Sequence, residues 1–126
     1  MDDVARIAMG LPEAREALRF GNRTWFVGDK ALAWERPFTK ADIKRFGSES
    51  PPSGAILAVR VSNLEEKDVV LMAHPRSVFT IPHFDGYAAV LIQLNKVTGR
   101  ELRDAIVDGW LASAPSRLTK KLSRPG

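Results

Sequence analysis

Between Tyr87 and Leu94 the chain reads YAAVLIQL, with Ala88, Val90, Ile92 and Leu94 on one side of an extended backbone and Tyr87, Ala89 and Leu91 on the other. Successive residues of a strand point to opposite faces, so a strand apolar on both must be covered on both, at least in part. The segment therefore belongs in the middle of a sheet. A chain of 126 residues, 44% of them hydrophobic, supports one core and leaves no room for a second domain.

The partners of that strand are legible upstream. ALRFGNRTWFVGDKALAWERP holds apolar runs broken at Gly21-Asn22 and at Gly28-Asp29, the second a two-residue loop of the kind that closes a hairpin. Strands are predicted near 16–20, 23–27 and 30–35, a meander with Trp25 and Trp34 on facing arms as core or half-buried sheet residues. AILAVRVS adds a strand with Leu57, Val59 and Val61 on one side, and Ser77 to Ile81 adds another.

Helices are predicted where the period changes to 3.6. Val4, Ile7, Ala8 and Leu11 follow the acidic pair Asp2 and Asp3 and stop at Gly10 and Pro12. Thr39 caps a short helix with Ile43 and Phe46 as its buried pair and Gly47 as its stop. Ser62 with Glu65 forms a capping-box pattern for LEEKDVVLMA, which ends at His74-Pro75. Thr98 with Glu101 repeats the pattern before a stripe of Leu102, Ala105, Ile106, Gly109 and Trp110. A last short helix follows Ser113, with Pro115 in its first turn, Leu118 and Leu122 inward and Arg117, Lys121 and Arg124 outward.

The absence of cysteine excludes disulfides, thiolate zinc sites and a cysteine nucleophile, and fits a reducing compartment. MDDVARIAMG has acids where a signal peptide has bases, and no apolar run approaches the roughly 18 residues of a membrane span, so a cytoplasmic protein is expected. The net charge of +4 lies entirely in the tail, because Arg117, Lys120, Lys121 and Arg124 follow a body in which acids and bases balance. Such a segment can meet phosphate, although it also simply keeps a chain end solvated. Lys40, Lys44 and Arg45 form a second basic cluster, diluted by Asp42.

No Walker A loop, dinucleotide glycine fingerprint, nucleophile elbow or HExxH is present. His74 and His83 flank a strand that would hold them roughly 15 Å apart, which argues against a metal shared with Asp85. His74 suits a helix C-terminus. His83 and Asp85 would share a face on an extended chain, but Gly86 points instead to a structured turn that anchors the long strand.

LPEA, TWFVGDKALAWERP, EKDVVLMAHP, VFTIPHFDGYAAVLIQL and LRDAIVDGWLASAPSRL, in that order over nearly the whole chain, resemble the MmcQ/YjbR family of small bacterial proteins. The resemblance implies an α+β fold, an antiparallel sheet flanked by helices in a CyaY-like or double-wing arrangement, as one domain over 1–126 with a basic tail at 114–126. It implies DNA binding, with no catalytic residue and no cofactor to transfer. The chain departs from familiar members at HFDGY, which is short and acidic where they carry a longer, more basic connection ending in tryptophan.

Two functions follow as expectations. The first is a sequence-tolerant DNA-binding monomer, not an enzyme, that contacts phosphates through Lys40, Lys44, Arg45, Arg117, Lys120, Lys121 and Arg124. The second is a small-molecule or protein-interaction site around His83, Asp85 and Tyr87, walled by Trp25 or Trp34.

Overall fold

The meander forms as its spacing requires. In the computed structural model, which describes residues 1–120, β1 (Arg15–Arg19), β2 (Asn22–Val27) and β3 (Lys30–Glu35) pair antiparallel in succession. The sheet continues through β4 (Ile56–Arg60) to β6 (Ala89–Gln93) and ends on β5 (Val78–Phe79), in the order β1-β2-β3-β4-β6-β5 with every pair antiparallel. The result is a single-domain α+β fold with six strands and five helices among the described residues.

All five residues of β6 are buried, and the four apolar ones divide between two cores. Val90 and Ile92 face the larger core, closed by α1 (Asp2–Met9), α4 (Gly99–Ser113) and α5 (Ser116–Thr119), with α3 (Leu64–Ala73) at its margin through Val70 and Leu71. Ala89 and Leu91 face a smaller core built from Ile81, Phe84, Phe38, Phe46 and Phe79 under α2 (Lys40–Phe46) and a 3-10 turn at Pro82–Phe84. The strand is shorter than its apolar pattern, because Tyr87 and Ala88 belong to the connection that feeds it.

Several local expectations are displaced by one or two residues, each for a physical reason. The β1–β2 loop is Phe20-Gly21, both at positive φ (53° and 78°), so Asn22 starts the next strand opposite Arg19. Asn63, not Ser62, caps α3, its side chain accepting from the Glu66 backbone N–H at 2.7 Å. The strand expected at 77–81 is reduced to Val78–Phe79.

On α2 the expected buried pair is half wrong. Phe46 packs edge-on against Phe38, whereas Ile43 is 50% exposed. The inward position belongs to Asp42, 3% exposed, which completes a capping box with Thr39. An Arg36 partner at 2.9 Å makes that burial tolerable.

Leu118 is buried in the larger core, as its spacing predicted. Leu122, Lys121 and Arg124 lie outside the described residues.

Candidate functional site

The smaller core does not cover its whole face of the sheet. Beside it lies an open cleft of about 720 Å³, bounded by the Phe20 turn, the end of β3 with Arg36 and Pro37, the inner side of α2, and the turn from His83 to Tyr87. Trp34, Phe84 and Tyr87 give it an aromatic wall: Trp34 stacks toward Phe84 at 6.4 Å between centroids, and Phe84 meets Tyr87 edge-on at 5.7 Å.

Register decides which tryptophan reaches this cleft. Trp25 pairs with Ala33 and Trp34 with Thr24, an offset of one residue that sends the two indoles to opposite faces. Trp25 is 0% exposed on the helix side, its Nε1 donating to Glu16 at 2.9 Å, so it is no wall of the site. Trp34 is half-buried and lines the cleft.

The 82–87 turn is tied down by a lysine that carries no sequence signal of its own. Lys67, 6% exposed on α3, donates from Nζ to the carbonyl oxygens of Phe84 at 2.6 Å and Tyr87 at 2.9 Å. Burial lowers its ammonium below the ordinary lysine range, and the charges of Asp85 and Asp68 act in the opposite direction. No hydrogen bond or ion pair among the described residues joins Asp85 to His83. The structured turn expected before the long strand forms as a 3-10 turn, which, unlike an extended chain, does not align His83 with Asp85. His83 and Tyr87 line the cleft and Asp85 does not.

Tyr87 is steadied from the other side by Arg60. That guanidinium lies 5.9 Å from the Tyr87 ring centroid and 3.5 Å from its hydroxyl, while its Nε donates to Ala31 O at 2.8 Å. His74 stands well away from all this, as the C-cap of α3, with Nδ1 2.8 Å from a Glu101 oxygen on α4. Glu101 is held below its ordinary value chiefly by the Thr98 backbone N–H, with the Thr98 hydroxyl and His74 adding to it.

Three arginines line the cleft, Arg19, Arg36 and Arg45. Arg36 is committed, bonded to Asp42 and to Pro37 O and set 5.6 Å over Phe84. Burial raises the Asp42 carboxyl, but the Thr39 backbone N–H and Arg36 outweigh it and leave the group below its ordinary value. Glu35, the other acid of the lining, accepts the Arg23 backbone N–H at 2.9 Å. Arg19 lies 5.9 Å from the Phe20 and Phe26 ring centroids, and Arg45 projects from the same side of α2 as Ala41.

The expected basic residues do not assemble into one surface. Lys40, Lys44 and Arg45 are exposed on α2, over the smaller core, and no ion pair among the described residues engages them. Arg117 and Lys120 belong to the α5 end of the chain, which packs through Leu118 against the larger core on the opposite side. Arg117 is also paired, its two terminal nitrogens 3.1 and 3.2 Å from the Glu13 carboxylate. Arg19, Phe20, Arg36, Phe84 and Lys67 were not singled out from sequence. Only Asp42 had a readable sign, the Thr39-x-x-Asp42 spacing of a capping box.

Fold and cleft together define a small α+β protein with an antiparallel sheet and one aromatic, arginine-lined concavity. No family model matches the chain. It is 47% identical over 122 residues to Mb2600 of Mycobacterium bovis and to Rv2570 of Mycobacterium tuberculosis, both described as uncharacterized proteins. Those alignments span 94% of this chain and 92% of each relative, and the chain belongs to the family of these mycobacterial proteins. The crystal structure of Deinococcus radiodurans protein DR2400, a DUF419 domain, is similar in fold. Its TM-score is 0.63 at 20% identity, over 98% of this chain and 88% of that one. Among the described residues no helix is long and apolar enough to cross a membrane.

Proposed function

We propose that this protein is a cytoplasmic, non-enzymatic binding module of the MmcQ/YjbR type that contacts nucleic-acid phosphates in a sequence-tolerant way, working through the rim of the α2 cleft. One observation carries the reading: Arg45 and Arg19 converge on a single concavity with Lys40 and Lys44 beside it, while the acids of the lining are already engaged. Cations without carboxylate partners around a concave surface attract polyanions. The DNA-binding label of the family that the chain resembles agrees with this. The tail bases become auxiliary, because Arg117 is paired to Glu13 on the other side of the sheet.

The non-catalytic part rests on how the ionisable groups of the cleft are occupied. Asp42 is bonded to Arg36 and Thr39, and Asp85, the acid nearest His83 in sequence, does not line the cleft, so neither is arranged as a general base toward a nucleophile there.

The test is fluorescence anisotropy of labelled single-stranded and duplex DNA across a salt series, with wild type compared to K44A/R45A. About four phosphate contacts from Arg19, Lys40, Lys44 and Arg45 predict a log–log salt slope of about −3 on single strands and about −3.6 on duplex. The double variant should lose roughly half of it. Absence of salt-dependent binding at low ionic strength removes the reading.

A further inference from the structure

We infer that the cleft takes a nucleotide unit with its base unstacked, the base lying on Phe20 and Trp34 and the phosphate on Arg19 and Arg45, so that single strands are bound in preference to duplex. The inference rests on the module reading above and adds to it the part of the ligand that is not phosphate.

Phe20 is the observation that calls for it. It is 92% exposed and sits at φ 53° in the two-residue Phe20-Gly21 loop, where asparagine, aspartate or glycine is favoured and a bulky residue is strained. Neither core packing nor backbone preference explains a phenylalanine there. Strain of this kind, kept at the mouth of a cleft, points to a role in binding. The ring lines the same concavity as Trp34 and Tyr87, and Arg19 stands against it.

Size and chemistry then select the occupant. A cleft of about 720 Å³ falls within the range that encloses a small molecule and is too small for the cylinder of a double helix. Exposed aromatic faces interleaved with arginine match what an unpaired base and its phosphate present, since every base has a π-face and stacking on it does not depend on sequence. A duplex hides those faces and offers its phosphates and the base edges in its grooves. The rim cations alone would not discriminate between the two forms, whereas Phe20 and Trp34 would.

The experiment uses the full chain and the emission of Trp34, because Trp25 and Trp110 are both 0% exposed. Titrants are an oligothymidylate strand, the same strand paired with oligoadenylate, thymidine monophosphate and inorganic phosphate. The variant is F20N, which places a favoured residue in the turn and should leave the melting temperature unchanged or raised. The expected result is quenching by the single strand, binding it at least about tenfold more tightly than duplex, and a loss of roughly tenfold or more in F20N.

Quenching by thymidine monophosphate at similar affinity, equally sensitive to F20N, supports the site with a free nucleotide as its occupant. Response to the strand alone supports it with a nucleotide taken from a chain. Equal binding of strand and duplex with no effect of F20N, or full competition by inorganic phosphate, overturns the stacking inference and leaves the phosphate module standing. Salt-dependent binding of none of these probes removes both.

Discussion

The ammonium of Lys67 donates to the backbone carbonyl of Phe84 at 2.6 Å, seventeen positions along the chain, and the same nitrogen reaches Tyr87 O at 2.9 Å. One side chain of α3 thereby shapes the turn that presents His83, Phe84 and Tyr87 to the cleft. Lys67→Met keeps the length of the side chain and deletes the charged donor, leaving the Phe84 and Tyr87 carbonyls with only the backbone N–H groups of Tyr87 and Ala89. A loss of about 1–3 kcal/mol is expected in urea unfolding. Trp34 emission should shift as well, because its ring neighbours hang on the turn; unchanged stability and emission would refute the tether.

Asp42 yields the pH prediction. Its folded carboxyl lies below the ordinary value, so its contribution to stability is present in full above about pH 4 and disappears as pH falls through the folded value. Asp42→Asn can still cap Thr39 but strands the Arg36 guanidinium, at a cost of about 2–4 kcal/mol near neutrality. Unfolding curves of the two proteins should converge below about pH 4. Coincident curves from neutrality down to pH 2 would show that the pair contributes nothing.

Gly109 sits on the face of α4 that crosses β3 and β4. A Cβ there would stand 2.9 Å from Leu32 O and 2.9 Å from a Val59 methyl carbon, closer than real Cβ contacts come. Helix propensity alone would favour alanine by about 1 kcal/mol. Crowding should reverse the sign, so Gly109→Ala is expected to destabilise by about 1–3 kcal/mol. A rise in melting temperature would mean that α4 does not press on the sheet as described.

How far the sequence was legible follows from which information is local. The meander, the α4 stripe, the Thr98–Glu101 capping box and the two-faced burial of β6 all rest on spacing within one segment, and all of them form. The β1–β2 loop was misplaced by one residue because Asn22 is the better turn former and Phe20 the worse, so propensity pointed away from the strained residue. Cap and strand edges moved for the same reason, since neighbouring residues compete for one role.

The cleft itself was legible only in fragments. Tyr87, His83, Trp34 and Arg45 were named, but in two separate sites, and Trp25 and Asp85 were grouped with the wrong partners. What joins the fragments is long-range: the β2–β3 register decides which indole faces the cleft, and the sheet order brings residue 20 to the same concavity as residue 87. Lys67 could not be singled out, because in sequence a lysine headed for two buried carbonyls looks like any lysine on a solvated helix face.

The α5 end of the chain separates charge from structure. Leu118 is 1% exposed within the larger core, and Pro115 lies where a Cβ on Gly28 would touch it at 3.4 Å, so this short helix is part of the packed body. Deleting everything after Ala114 would therefore remove a core residue along with the tail cations, and weakened DNA binding in such a truncation would be ambiguous. Leu118→Ala is expected to cost about 2–5 kcal/mol in denaturant unfolding, with the spread set by how far α5 settles into the void. Arg117→Gln, exposed at the surface, should change stability little while removing one cation. If Leu118→Ala proves neutral, α5 is not packed as described; if Arg117→Gln weakens nucleic-acid binding as much as K44A/R45A does, the binding surface extends to the helix side of the sheet.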